Sequence, residues 1–212
     1  FWAEHRLARR PGRQVVGDDT DEDVAVVQSV VPRHVAAGVR VVPPSAELTP
    51  VDLLDRELAE EPEQPELLYE SALLAERLGR IEVMEKRLRR LIELQPDSAQ
   101  AYNALGYSYA DRNMRLPEAR QLVEKALQLA PNDPFILDSM GWVLYRQGDL
   151  EGALTQLQRA NSLRADPEIA AHTAEVLWML GRRNEAQRIL LEAQKKDPSN
   201  EQLRDALKKF SP

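Results

Sequence analysis

Residues 99–133 read AQAYNALGYSYADRNMRLPEARQLVEKALQLAPND. In the first half, large side chains recur with the three- and four-residue spacing of one helix face: Tyr102, Leu105 and Tyr109. Gly106 lies among them, and a residue this small lets a second helix pack closely. The second half has the same helical spacing and ends at Pro131, where a helix cannot continue. The stretch therefore predicts two helices joined by a short turn.

Prolines mark a repeat of this unit along the chain: Pro62, Pro96, Pro131 and Pro198. The first two intervals are 34 and 35 residues, and the last is 67, which is two repeats with Ala165 in place of the missing proline. Together with the small and aromatic residues between the prolines, this spacing resembles the tetratricopeptide-repeat (TPR) pattern, a helical hairpin of about 34 residues. We therefore predict an all-α fold, a TPR α-solenoid. In such a fold the hairpins stack into a right-handed superhelix.

The repeat divides the chain into units. Full repeats are predicted over residues 65–98, 99–133, 134–166 and 167–198, followed by a C-terminal capping helix within 199–212. Residues 47–64 hold a partial repeat, its second helix. Residues 1–46 do not fit the pattern and are predicted to be irregular or poorly ordered, as a degenerate repeat, a docking arm or a linker. The expected helices are 66–79, 82–95, 99–112, 116–130, 134–147, 150–163, 167–180, 183–196 and 199–210.

The charge of the chain is unevenly distributed. It has 35 acidic and 28 basic residues, a net charge of −7, and the acidic excess lies within residues 47–66. Such a patch repels nucleic acid and can attract a basic partner. The alternative is a solvated helix face beside an acidic loop. We expect no nucleic-acid partner.

The residues of common catalytic and metal sites are missing. The chain has no cysteine, which excludes disulfides and thiol catalysis. Its three histidines, His5, His34 and His172, lack the spacing of a metal site. No glycine-rich phosphate loop is present, and no stretch has the 18 or so apolar residues of a membrane-spanning helix. We therefore predict a protein that is not an enzyme and has no cofactor or metal.

The first helix of every TPR hairpin lines a concave groove, and its groove-facing side chains recur at fixed positions of the repeat. Tyr and Trp are residue types that anchor a bound polypeptide. The alternative is that the aromatic residues pack across neighbouring helices and complete the core, with the polar ones merely solvated. The Lys/Asn/Arg clamp of chaperone-type TPR domains is absent, so a chaperone-tail receptor is not expected. The candidate partner-binding residues are Tyr69, Asn103, Tyr107, Asp138, Trp142, Tyr145, Arg146, Glu175 and Trp178.

Residues 65–210 also resemble the C-terminal repeats of proteobacterial outer-membrane TPR lipoproteins. The segments that carry this resemblance are Asn103–Tyr107, Ala110–Arg112, Ala130–Tyr145 and Asp166–His172. The resemblance implies a periplasmic adaptor that binds a carboxyl-terminal processing protease and helps to deliver cell-wall hydrolases to it. It also implies attachment to the membrane only through a lipid anchor on an upstream cysteine that is not in this chain.

The chain begins at Phe1 rather than at Met, so we expect a piece of a longer or processed protein. The leading hypothesis is a non-enzymatic protein–protein interaction adaptor in the periplasm, anchored to the outer membrane in the full-length protein. One alternative is an assembly or regulatory TPR protein of another system, such as envelope biogenesis or pilus assembly, including a cytoplasmic one. Another is a self-associating structural module.

Overall fold

The computed structural model of the chain describes residues 54, 56 and 58–210, and all regular structure within them is helical. The predicted helices are confirmed, with every end within two residues of its expected position. The prediction of an irregular segment over 1–46 lies outside the described residues. The partial repeat over 47–64 is described only in part, and its Leu58, Ala59 and Glu60 are helical. The helices are α1 (Pro65–Arg77), α2 (Ile81–Leu94), α3 (Ala99–Asp111), α4 (Leu116–Leu129), α5 (Pro134–Gln147), α6 (Leu150–Leu163), α7 (Pro167–Met179), α8 (Arg183–Lys196) and α9 (Glu201–Lys209).

The first eight of these helices form four hairpins, each pairing an odd-numbered helix with the even-numbered helix that follows it. Successive hairpins stack, because each second helix also contacts the first helix of the next hairpin. The first helices α3, α5 and α7 contact one another in turn and so form an inner row. No single hairpin can bury its apolar sides alone, so stacking in line produces one continuous core.

Small residues set the distance between the two helices of a hairpin. A Cβ atom added at Gly106 would lie 2.7 Å from Val123 Cγ2 and 2.9 Å from the carbonyl oxygen of Ala119. One added at Gly141 would lie 2.6 Å from Leu157 Cγ. Side chains in these places would force the helices apart. The close packing predicted from the repeat is therefore present.

Polar caps and left-handed residues define the helix ends. The Asp133 side chain accepts hydrogen bonds from the backbone N–H of Phe135 (2.8 Å) and of Ile136 (3.2 Å), which satisfies donors that the helix itself cannot. At the end of α5, Gly148 has φ +88°, a conformation that glycine adopts without strain. The turn after α3 has no glycine and instead uses Asn113 (φ 56°) and Arg115 (φ 43°). The second hairpin therefore turns differently from the others.

Helix α9 closes the C-terminal end of the stack and packs on α7 and α8. Leu203 and Phe210 are buried against the core and Leu207 is partly buried, while Arg204 and Lys208 remain exposed. A polar outer face of this kind lets an array end in water. In the described part of the chain, no helix has the length and apolar character needed to span a bilayer.

Candidate functional site

The nine candidate residues all lie on the first helices of the four hairpins, α1, α3, α5 and α7, but they differ in burial. Four of them are buried, with exposed fractions of 3% to 5%: Asn103, Tyr107, Asp138 and Trp142. The other five are partly exposed: Tyr69, Tyr145, Arg146, Glu175 and Trp178. Burial therefore divides the candidates into an inner set and an accessible set.

Two residues of the inner set link α5 to α7 through His172. The carboxylate oxygens of Asp138 lie 2.9 and 3.0 Å from His172 Nδ1. The Trp142 ring stacks on the His172 ring, with 4.2 Å between centroids and an interplanar angle of 19°. These contacts join α5 to α7. They are the packing across neighbouring helices that the sequence left open as the alternative to partner binding.

A second contact of the inner set spans two hairpins. The Tyr107 hydroxyl on α3 donates a hydrogen bond to Glu168 Oε1 on α7, at 3.3 Å. Both side chains are buried, Glu168 being 5% exposed. The contact passes beside α5, the inner helix between them. The second and fourth hairpins are therefore in direct contact, although the third lies between them in the chain.

Sequence reasoning did not select His172 or Glu168 as site residues. His172 looked isolated in the chain, yet it lies 34 residues after its partner Asp138. That separation is one repeat, so the two residues occupy neighbouring places on successive inner helices. Comparison of polar residues one repeat apart is the signal that would have found this pair.

Asn103 is the one buried side chain of the inner row with an unsatisfied oxygen among the residues that the structure describes. Its exposed fraction is 3%, and its Oδ1 atom has no hydrogen-bond partner. Burying an amide oxygen without a donor costs about 1–3 kcal/mol.

The accessible set meets the end of the chain at the last inner helix. Glu175 Oε1 accepts one hydrogen bond from the Tyr145 hydroxyl and one from Lys209 Nζ, both at 3.1 Å. Burial, and then the Glu175 carboxylate, raises the pKa of Tyr145 above its usual value. The Trp178 ring packs against Phe210, 5.4 Å between centroids. Tyr145, Glu175 and Trp178 therefore form one patch.

Tyr69 is not part of this patch, since it lies on α1 at the other end of the row. Burial, and then the carboxylates of Glu70 and Glu76, raises the pKa of Tyr69 to about 12. Glu76 is itself paired with Arg112, whose Nη1 atom lies 2.8 Å from Glu76 Oε1. The structure thus brings together the predicted residues of α5 and α7 and leaves Tyr69 separate.

The metal-ligating and acidic groups of the described residues bear on what kind of site this is. Within residues 58–210, no three His, Asp or Glu side chains are grouped so that they could hold a metal ion. The acids Glu76 and Glu175 are paired with guanidinium, hydroxyl or ammonium groups rather than arranged as an acid and a base. Hydrogen bonding and apolar packing are what this surface offers.

Comparison with known proteins agrees with this architecture. A profile described as tetratricopeptide repeat matches residues 85–134. The TPR protein TTC0263 of Thermus thermophilus superimposes with a TM-score of 0.70 and 25% identity, over 76% of this chain and 88% of that one. The described part of the chain has the fold of a TPR solenoid. YrrB, another TPR protein, superimposes on this solenoid with a TM-score of 0.55 and 22% identity, over 76% of this chain and 91% of that one.

The TPR solenoid also has a close relative in sequence. The TPR repeat-containing protein PA4667 of Pseudomonas aeruginosa is 50% identical over 118 residues. The match covers 56% of this chain and 20% of PA4667, so the chain spans about a fifth of the length of that relative. TPR proteins generally act in protein–protein interaction, and stacked repeats provide extended surfaces for it.

Proposed function

We propose that this TPR solenoid is a non-enzymatic scaffold that binds a protein partner across its inner helices. One observation carries the proposal. Tyr145 and Trp178 are partly exposed large aromatic residues near the ends of the neighbouring inner helices α5 and α7. The repeat consensus does not require aromatic residues there. Tyr and Trp are enriched among the residues that contribute most to protein–protein binding.

We further propose that the partner is a carboxyl-terminal processing protease, its substrates, or both. The support is the resemblance of residues 65–210 to the proteobacterial outer-membrane TPR lipoproteins, together with the 50% identity to PA4667 over 118 residues. On this proposal the full-length protein lies in the periplasm and is held to the outer membrane by a lipid upstream of this chain. The chain itself would then present the binding surface.

The test uses isothermal titration calorimetry to measure binding between the purified chain and the purified carboxyl-terminal processing protease of the same organism. A complex is expected. Each of Tyr145→Ala and Trp178→Ala should weaken it by about 2 kcal/mol, or roughly 30-fold. The matched control is Leu163→Ala, which removes an apolar side chain that is 50% exposed on the outer helix α6. This control should bind as the unaltered chain does.

Two results would contradict the proposal in different ways. If no complex forms with the protease, the adaptor role is wrong. If a complex forms but Tyr145→Ala and Trp178→Ala bind normally, the scaffold role stands and the assigned surface is wrong. Because Trp178 packs against Phe210, thermal unfolding followed by circular dichroism must first show that the variants are folded. The rate at which the protease degrades a cell-wall hydrolase, with and without the chain, measures the adaptor activity itself.

The two alternative functions, pilus assembly and self-association, have less support. The solved structure of Pseudomonas aeruginosa pilF superimposes with a TM-score of 0.59 and 20% identity, over 71% of this chain and 70% of that one. Identity at this level shows a shared fold alone, so it gives a pilus role no separate support. Self-association would be seen as a doubled mass in light scattering of the chain without any partner.

A further inference from the structure

The last two inner helices end in a patch that combines exposed apolar surface with positive charge. We name it the C-terminal rim and define it by Tyr145, Arg146, Trp178, Met179 and Arg183. The first two lie at the end of α5, the next two at the end of α7, and Arg183 opens α8. Met179 is the apolar centre of the rim, with 58% of its surface exposed. The two aromatic residues beside it are partly exposed.

The two arginines of the rim lie over tryptophan rings, at cation–π distance. The Arg183 guanidinium lies 4.9 Å from the centroid of the Trp178 ring, and that of Arg146 lies 6.0 Å from the Trp142 ring. A guanidinium carries its N–H donors at the edge of its plane, where they can donate two parallel hydrogen bonds to a carboxylate. A neighbouring ring leaves the positive charge in place, because it is not an anion.

Neither arginine of the rim forms an ion pair with a carboxylate within residues 58–210. Their neighbours differ in this respect. Arg182 bonds Glu185 at 2.8 Å, and the nearby acid Glu175 already accepts hydrogen bonds from Tyr145 and Lys209. Glu175 and Glu185 are therefore occupied by other partners, and neither arginine of the rim is paired with a carboxylate in the described residues.

We propose that the C-terminal rim binds a segment of the partner protein in which acidic side chains flank a large apolar one. This inference rests on the proposed scaffold function and specifies its partner. The acidic side chains accept hydrogen bonds from Arg146 and Arg183, while the apolar side chain packs on Met179 and the exposed part of Trp178. A basic segment is disfavoured because it would meet two unpaired cations. A nucleic acid would match the arginines but not Met179, and it would be repelled by the chain's net charge of −7.

The test uses the whole chain and two fluorescein-labelled synthetic peptides, measured by fluorescence anisotropy. In one peptide glutamates alternate with leucine and tryptophan, and in the other lysine replaces every glutamate. The glutamate peptide should bind at least about tenfold more tightly, the effect of one charge-assisted hydrogen bond. Its affinity should fall as salt is added, because part of the attraction is between exposed charges.

Variants locate the effect on the rim. Arg183→Gln should weaken binding of the glutamate peptide about tenfold, and Arg146→Gln should do the same. The matched control is Arg188→Gln, which removes the same charge from the same helix about 140° around its axis. The control should leave binding unchanged. Equal binding of the two peptides, or equal effects of Arg183→Gln and Arg188→Gln, would overturn the inference.

A third probe separates the classes of partner. The probe is a single-stranded DNA oligonucleotide. If it binds more tightly than the glutamate peptide, the rim recognises a phosphate backbone rather than an acidic protein segment, and the inference is overturned. The protease experiment judges the proposed function independently. If the protease binds while the glutamate peptide shows no preference, only the partner chemistry fails. If the peptide preference holds without a protease complex, the rim stands and the adaptor role fails.

Discussion

At the scale of single residues, Gly106 and Gly141 show how closely the helices of the middle hairpins approach. The equivalent places in the first and fourth hairpins hold Ala72 and Ala174, and both alanines are fully buried. The first and fourth hairpins thus accommodate an alanine at this place. In the second hairpin its Cβ would lie 2.9 Å from a backbone oxygen, that of Ala119, and a backbone atom cannot turn away as a side chain can. The two kinds of hairpin differ in helix separation.

We expect Gly106→Ala to destabilise the chain despite the better helix propensity of alanine. Propensity favours alanine by about 1 kcal/mol, whereas overpacking a tight interface costs about 1–3 kcal/mol. The net loss in the free energy of unfolding, measured by urea denaturation, should therefore be up to about 2 kcal/mol. The control Gln121→Ala, at an exposed site of α4, should change stability by less than about 0.5 kcal/mol. A stabilised Gly106→Ala variant would show that the hairpin can open at no cost.

At the scale of elements, α9 depends on its neighbours for its place. The helix has nine residues, which is short for an isolated helix in water. Asn200 caps its start by accepting a hydrogen bond from the Leu203 N–H at 3.1 Å. Its end is held by the contact between Phe210 and Trp178, and by a hydrogen bond from Gln187 Nε2 to the carbonyl oxygen of Phe210 at 3.2 Å. Packing of its apolar side is what stabilises the cap.

Phe210→Ala should therefore release α9 without unfolding the rest of the stack. Replacing a buried phenylalanine by alanine typically costs about 3–5 kcal/mol of stability. We expect this loss to exceed the free energy that holds a terminal helix of nine residues in place. Amide hydrogen exchange should accelerate in α9 and in the adjoining end of α8, while α3 and α4 keep their protection. Lys208→Ala, at a side chain that is 78% exposed, should leave the exchange of α9 unaltered. Uniformly faster exchange over all hairpins would show that the cap and the array unfold as one unit.

At the scale of the whole molecule, the array departs from simple nearest-neighbour stacking. In a linear repeat protein each hairpin contacts only the next one, and stability is a sum of repeats and of interfaces between neighbours. Here the hydrogen bond from Tyr107 to Glu168 joins the second hairpin directly to the fourth. The stack therefore includes a contact that no pair of adjacent repeats contains.

A double-mutant cycle of Tyr107→Phe and Glu168→Ala should show this contact as a coupling of about 1 kcal/mol in the free energy of unfolding. The control cycle replaces Tyr107→Phe by Tyr145→Phe, because Tyr145 bonds Glu175 instead of Glu168. Its energies should add within about 0.5 kcal/mol. Additive energies in the first cycle as well would mean that the two hairpins are independent.

The inner helices show what sequence reasoning could and could not anticipate. Trp142 and Trp178 were both predicted to face the groove and to anchor a partner. The structure buries the first against His172 and leaves the second partly exposed beside Arg183. Nothing in the sequence of a single repeat separates the two, since their burial depends on the helices of neighbouring repeats. Asp138 and His172 likewise meet only because one repeat is stacked on the next.

The sequence by itself determined that the chain forms helical hairpins, where each helix begins and ends, and that a cap closes the last one. These features depend on contacts between residues close in the chain, and the residues that make those contacts recur in the 34-residue pattern. Only the tertiary structure decided which inner residues became core and which became surface, and that Arg146 and Arg183 lie over tryptophan rings without an ion-pair partner in the described residues. Those outcomes depend on the distance and angle between hairpins, which many small packing contacts set together and no local motif specifies.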